Sequence, residues 1–308
     1  MMKFYKLIMP VLCLCLISAF QVPCHAEERH AKEIAKGVYV IPDFGFSNCG
    51  FIVTDEGVVV VDTTLSPYFG SEILKEIKAV TDKPVKYVIN THWHTDHVGG
   101  NEVFVPQAHI IAHEFTAKVI AQRKADQDAG KVDEQLKALG EFKFTPPDIT
   151  FDNEKTLQMG DKTIELKFFG GGHTAGDIIV YLPKEKVLFS GDLFIKGSGL
   201  PDYRDDGNID RQIASLKKMQ ELDIDKMVCG HLAAMGSTVY TASKKDIQDS
   251  IDKLVAFRAK VKSYVDQNIP PEKAAEEIKF PAGENPFYKQ KFSKVVIKAY
   301  NDIKNAQQ

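Results

Sequence analysis

Four metal-competent side chains fall within six residues at His92-Trp93-His94-Thr95-Asp96-His97, and no other segment restricts the possible folds of the chain so strongly. The segment follows Val85-Lys86-Tyr87-Val88-Ile89-Asn90, a largely apolar run that reads as a strand, and precedes Gly99-Gly100. If the strand stays extended for a few more residues, His92, His94 and Asp96 project together, because alternate side chains of an extended chain share a face. Gly99-Gly100 would then permit a tight turn that brings His97 to a neighbouring point. Imidazole nitrogen and carboxylate oxygen bind zinc at roughly 2.0–2.2 Å, and an open catalytic site uses three protein ligands and a water. Four ligands in one short loop exceed that need and point to two metals.

Further ligands occur in similar settings. Gly170-Gly171-Gly172-His173-Thr174, Ser190-Gly191-Asp192 and Gly230-His231 each follow a segment of strand composition, and the glycines let the backbone approach a cluster closely. Taken singly, a strand-end histidine is an ordinary loop residue and Gly-Asp an ordinary turn. Five of the nine histidines nevertheless fall in this one set. His30, His109 and His113 have no such company and read as surface or packing residues, with His113 opening a helix. Trp93, between two ligands, reads as packing or rim. Lys196, four residues after Asp192, is positioned to bind an anionic group of a substrate, or else is a solvated loop lysine. Tyr203 and Arg204 lie in the Gly-, Asp- and Pro-rich loop just beyond. Arg204 could grip a carboxylate or sulfate, although a surface role fits it better.

The 308 residues are 44% apolar and 26% charged, with a formal net charge of −3, so the chain reads as globular. No basic excess suggests a nucleic-acid partner. Residues 1–26 have the order of a secretory signal peptide: Lys3 and Lys6, an apolar run from Leu7 to Phe20, then a short polar stretch to Ala26. The run is short for a membrane span, which needs roughly 20 apolar residues. Cleavage after Ala26 leaves no stable span and directs the protein to the periplasm or outside the cell. The alternative is an uncleaved anchor. Cleavage also leaves only Cys49 and Cys229, which read as two separate buried thiols, with a single disulfide as the alternative if they lie close and Cys229, two residues before His231, able to lie near the metals.

Strands are expected at Val38 to Ile41, Gly50 to Thr54, Val58 to Asp62, Val85 to Asn90, His109 to Ala112, Thr163 to Phe169, Ile178 to Leu182, Lys186 to Ser190 and Lys226 to Cys229. Helices are expected at Ser71 to Val80, near Asn101, from Glu114 to about Leu139, at Ile209 to Leu222, and almost continuously from Ser243. This is an α/β pattern of mixed sheets covered by helices, divided as residues 30–242 and a helical C-terminal extension, 243–308. The extension reads as a solvated helical face, with subunit pairing in a homodimer or a lid over the site as the sharper alternative.

His-x-His-x-Asp-His, then a glycine-preceded His, then Gly-Asp, then Gly-His, in this order and over about residues 35 to 240, resembles the metallo-β-lactamase superfamily. The resemblance implies a four-layered αββα sandwich with two metals at one edge. By matching positions, His92, His94 and His173 would hold the first metal, Asp96, His97 and His231 the second, and Asp192 would bridge them. Asp192 departs from the best-known lactamase subclass, which has Cys there, and resembles the glyoxalase II, lactonase and alkylsulfatase-like branches. The expected activity is hydrolysis of an ester, lactone, thioester, sulfate or related bond in a small molecule. A hydroxide held between two zinc ions would be the nucleophile, and Asp96 would orient it and carry its proton. The oxygen-rich bridge also admits iron or manganese. A true β-lactamase and a one-iron sulfur dioxygenase on the same fold are the alternatives.

Overall fold

The computed structural model describes residues 30–105, 107–131, 142–196, 206–231, 240–280, 289 and 291–307. The segment expected to be a signal peptide, and Tyr203 and Arg204, lie outside the described residues.

The first half builds a seven-stranded sheet. Its strands run in spatial order β1 (Lys32–Ala35), β2 (Val38–Phe44), β3 (Ser47–Thr54), β4 (Gly57–Val61), β5 (Val85–Ile89), β6 (His109–His113) and β7 (Ile149–Phe151). β1 to β4 pair antiparallel, and β4 to β7 pair parallel. Helix α1 (Pro67–Val80) carries the crossover from β4 to β5. The short helix α2 (Thr95–Val98) and a 3-10 turn at Asn101–Val103 follow β5. Helix α3 (Glu114–Asp128) lies between β6 and β7.

The second half builds a six-stranded sheet from β8 (Glu154–Met159), β9 (Lys162–Phe168), β10 (Ile178–Leu182), β11 (Val187–Phe189), β12 (Lys226–Val228) and β13 (Thr241–Ala242), in spatial order β13-β12-β11-β10-β9-β8. Helix α4 (Ile209–Glu221) joins β11 to its parallel neighbour β12. Helices α5 (Lys244–Asp266), α6 (Pro271–Glu277) and α7 (Phe292–Asn305) complete the chain.

The run Val58 to Val61 shows how the layers form. Val59 and Val61 face the second sheet and pack with Ile164, Leu166 and Val180. Val58 and Val60 face the other way, onto Ile73 and Ile77 of α1. Both faces of this strand are buried, which is why it reads as an unbroken apolar run. Each such side chain contributes about 1.5–3 kcal/mol of burial free energy. On the outer face of the second sheet, Ile179, Leu188 and Met227 join Leu216 and Met219 of α4, Leu254 of α5 and Val296 of α7 in a single cluster. The order is therefore helix, sheet, sheet, helix, as expected for an αββα sandwich. The C-terminal helices belong to its last layer.

Three readings change. α1 begins at Pro67 rather than Ser71, since proline is pre-organised for the first helical position. α3 stops at Asp128, and Gly130 takes a left-handed conformation of φ +73° beyond it, so the helix does not continue as expected. Residues 132–141 lie outside the described residues. Strands β1, β7, β8 and β13 and helix α2 were not expected. They span two to six residues, and in the longest, β8, only Leu157 and Met159 are buried. Among the described residues, no helix is long and apolar enough to cross a membrane.

Candidate metal centre

β5 ends at Ile89, and the chain turns rather than continuing extended into the histidines. His94 is the N-cap of α2, so the residues after it wind around a helix at 3.6 per turn. This corrects the expectation that His92, His94 and Asp96 share one face. His92 and His94 join His173 and Asp192 in one group, and Asp96 and His97 join His231 in a second. Within each group the candidate ligand atoms all lie within 4.8 Å of one another. Gly99 and Gly100 do not swing His97 into place, because His97 already lies on the helix before them. Cβ atoms there would come 2.1 Å from the Leu65 carbonyl oxygen and 2.4 Å from that of Thr63, so these glycines admit the 63–65 backbone instead.

Asp192 stands between the two groups. Its Oδ2 is 3.2 Å from His173 Nε2 and 3.2 Å from His231 Nε2, and its Oδ1 is 3.3 Å from His97 Nε2. His92 Nε2 lies 3.8 Å from Oδ2. Asp96 Oδ2 is 3.1 Å from His231 Nε2. Gly230 makes this convergence possible, since a Cβ on it would lie 1.9 Å from Asp192 Oδ1. All seven residues expected as ligands thus meet at one end of the sandwich, at the end of β5 and in the segments after β9, β11 and β12.

The arrangement calls for cations. His97 Nε2 and His231 Nε2 approach to 3.3 Å, and His173 Nε2 and His94 Nδ1 to 2.9 Å, so their lone pairs oppose one another unless a proton or a metal lies between. His92 Nε2 is fully buried and makes no hydrogen bond. Without metal, protons supply the positive charge. Burial works against a charged His97, yet the Asp192 and Asp62 carboxylates outweigh it and lift His97 to about 10. Burial likewise opposes charge on His231, and Asp192 and Asp96 lift it well above the usual imidazole range. Burial and the neighbouring His97 push His92 well below that range. Burial alone would raise Asp96, but the hydrogen bond from His231 and the His97 charge hold its carboxyl below the ordinary value. A donor set of imidazoles and carboxylates fits zinc and also admits iron or manganese.

Several residues behind the cluster carry no obvious signal in the sequence. Asp62, at the end of β4, meets His97 Nδ1 at 2.8 Å and accepts from the Thr91 N–H and hydroxyl. Asp177 accepts from the Thr174 N–H and hydroxyl next to His173, and burial lifts its carboxyl to about 6. Asp62 follows a buried strand, as the recognised ligands do, and that position was its one available signal. Lys196 joins neither group. Its ammonium donates to the Thr241 carbonyl at 2.7 Å and lies 3.8 Å from Asp246. Cys49 and Cys229 are buried free thiols, as expected, and burial pushes Cys229 up to about 11. His113 caps α3, while His30 and His109 pair with Glu76 and Asp148.

The family model for the metallo-beta-lactamase superfamily matches residues 42–231. The chain belongs to that superfamily. Among curated proteins, it is 31% identical over 199 residues to the 2,4-dinitroanisole O-demethylase subunit alpha of Nocardioides sp. (strain JS1661), covering 63% of this chain and 55% of that protein. It is 30% identical over 151 residues to the metallo-beta-lactamase type 2 of Elizabethkingia meningoseptica, covering 49% and 53%. It is 25% identical over 285 residues to the linear primary-alkylsulfatase of Pseudomonas sp. (strain ATCC 19151), covering 79% and 52%. The chain therefore spans about half the length of the curated relatives it matches. Among solved structures, a metallo-beta-lactamase from Pontibacter korlensis superposes with a TM-score of 0.59 at 24% identity, covering 73% of this chain and 98% of that one. The sec-alkylsulfatase Pisa1 from Pseudomonas sp. superposes with 0.65 at 18% identity, covering 89% and 50%. At these identities the superpositions speak for the shared αββα fold.

Proposed function

We propose that this enzyme is a two-metal hydrolase of small molecules, with zinc in both positions, cleaving an ester, lactone, thioester, sulfate or related bond. The carrying observation is the Asp192 carboxylate, which lies within 3.3 Å of histidines from both ligand groups. His92, His94 and His173 would hold one cation, Asp96, His97 and His231 the other, with Asp192 shared. Bound divalent cations supply Lewis acidity and bring the pKa of a coordinated water towards about 7.

The chain's own residues set where a substrate meets this chemistry. The His92, His97 and His173 side chains are sealed, while those of Asp96 and His231 keep 24% and 18% of their surface exposed, so entry is over the second group. Asp96 stays ionised there and accepts a hydrogen bond from the attacking water, orienting it. An ionised carboxylate that also ligates is a weak base, so orientation is its main role. Phe46 is 65% exposed beside Ser47, whose hydroxyl donates to the Asp96 carbonyl at 2.6 Å. An apolar portion of the substrate would rest on that ring. Lys196 would reach an anionic substituent only after leaving Thr241. Export through the leader at residues 1–26 would place the enzyme in the periplasm or outside the cell.

The test is metal analysis of purified protein, then a panel of aryl esters, lactones, thioesters, alkyl sulfates and 2,4-dinitroanisole. Two zinc per chain and turnover abolished by chelator are expected. One iron per chain would replace this reading with an oxygenase. The similarity to the Elizabethkingia lactamase favours a second reading as a β-lactamase, which hydrolysis of a chromogenic β-lactam would establish.

A further inference from the structure

We infer that Asp206 is a positioning residue that ties together the two chain segments supplying histidines to the first ligand group; the inference rests on the two-cation reading above. Its carboxylate oxygen Oδ2 accepts from the indole N–H of Trp93 at 2.9 Å and from the backbone N–H of Ala175 at 3.1 Å. Trp93 stands between His92 and His94 in the chain, and Ala175 is two residues after His173. One oxygen therefore bridges the His92–His94 segment and the His173 segment, beside the backbone bond that the Ile178 N–H donates to the Thr91 carbonyl at 2.9 Å.

The surroundings leave Trp93 little freedom. The residue is 7% exposed, its ring packs edge-on against His94 at 4.4 Å between centroids, and the Arg123 guanidinium covers it at 4.3 Å. A rotation of the indole would therefore displace the His94 ring. Asp206 is itself held by α4: the Arg211 guanidinium donates to its carbonyl, and the Asn208 side chain caps the helix at the Arg211 N–H. The Asn208 N–H donates to the Gly172 carbonyl at 2.7 Å, directly before His173. α4 thus braces the His173 segment through Asn208 and through Asp206, and Asp206 alone carries the tie across to Trp93. Removing the carboxylate leaves two shielded N–H donors without their acceptor. Among the described residues nothing comparable links Asp206 to Asp96, His97 or His231, so its effect falls on one group.

The experiment titrates metal-free full-length protein with Co2+, following visible absorption and competition with a chromophoric chelator. His173→Ala identifies the binding class that belongs to the first group. Asp206→Ala is expected to weaken that class about 10–100-fold, the range for partners that orient metal ligands, and to leave the other class unchanged. Asp206→Asn restores binding, because an amide oxygen still accepts both N–H groups. Trp93→Phe keeps an aromatic ring beside His94 and loses one donor, so it weakens the same class by less than Asp206→Ala. Unchanged first-class affinity in Asp206→Ala, or equal loss of both classes, overturns the inference. If Asp206→Ala does not fold, Trp93→Phe decides alone: wild-type cobalt affinity in it overturns the tie. Absence of cobalt binding by the unaltered chain overturns the metal reading itself, and this inference with it.

Discussion

Asp62 Oδ2 lies 2.8 Å from His97 Nδ1 and accepts the Thr91 hydroxyl at the same distance, which turns His97 Nε2 towards Asp192. The side chains of His97 and Asp62 are almost wholly buried, so this orientation is fixed by the fold and not by solvent. Asp62→Ala should weaken metal binding about 10–100-fold, as loss of such partners does elsewhere. It should also cost about 1–3 kcal/mol of stability for each Thr91 donor left unpaired. Chelator competition and urea unfolding measure the two effects separately.

Under the proposed two-cation reading Asp192 would serve both cations, and that sharing has its own signature. Asp192→Asn should weaken both cobalt binding classes, whereas His173→Ala should weaken one. If Asp192→Asn affected a single class, the carboxylate would belong to that group alone.

Gly230→Ala places a methyl group where Asp192 Oδ1 now lies, at 1.9 Å. Catalytic turnover should fall at least about 100-fold, the scale reported for displacements of about 1 Å in active sites. Gly130→Ala is the control. Gly130 has φ +73° and, chain neighbours aside, no atom of the described residues within 4 Å of its Cβ position, so this change should cost about 1–2 kcal/mol of stability and leave turnover intact.

The C-terminal helices share one apolar cluster with β10, β11, β12 and α4. Ending the chain after Ala242 would uncover that layer, and the product should be insoluble. Leu254→Ala in the full chain should cost about 2–5 kcal/mol in urea unfolding. A soluble, active truncated protein would show the helices to be an accessory.

Chelator should lower the melting temperature, because a cation that binds only the folded chain stabilises it in proportion to RT ln(1 + [metal]/Kd). The rise on adding back zinc should grow with zinc concentration. Differential scanning fluorimetry across a zinc series checks this.

Much of the site was legible because its ligands sit at strand ends beside glycines, and both features leave marks in one dimension. His92 to His97, His173, Asp192 and His231 could all be found that way. Their division into groups came from the family resemblance and not from the residues alone, since it depends on where β5 stops and α2 starts, and a short helix of Thr, Asp, His and Val has no periodicity to read. Asp206 carried no mark either, because its role consists of two hydrogen bonds to residues 113 and 31 positions away.

The amino-acid sequence by itself determined the pattern of mixed sheets covered by helices and the set of candidate ligands. Val58 to Val61 must be buried on both faces, and seven imidazoles and carboxylates in glycine-flanked positions must converge on something positive. The family resemblance supplied the division of the ligands and the place of Asp192 between them, and only the tertiary structure decided that the C-terminal helices join the fourth layer and that Lys196 is held by Thr241. Those facts depend on contacts between segments far apart in the chain, and hydrophobic periodicity, which specifies a face, does not specify which neighbour the face will meet.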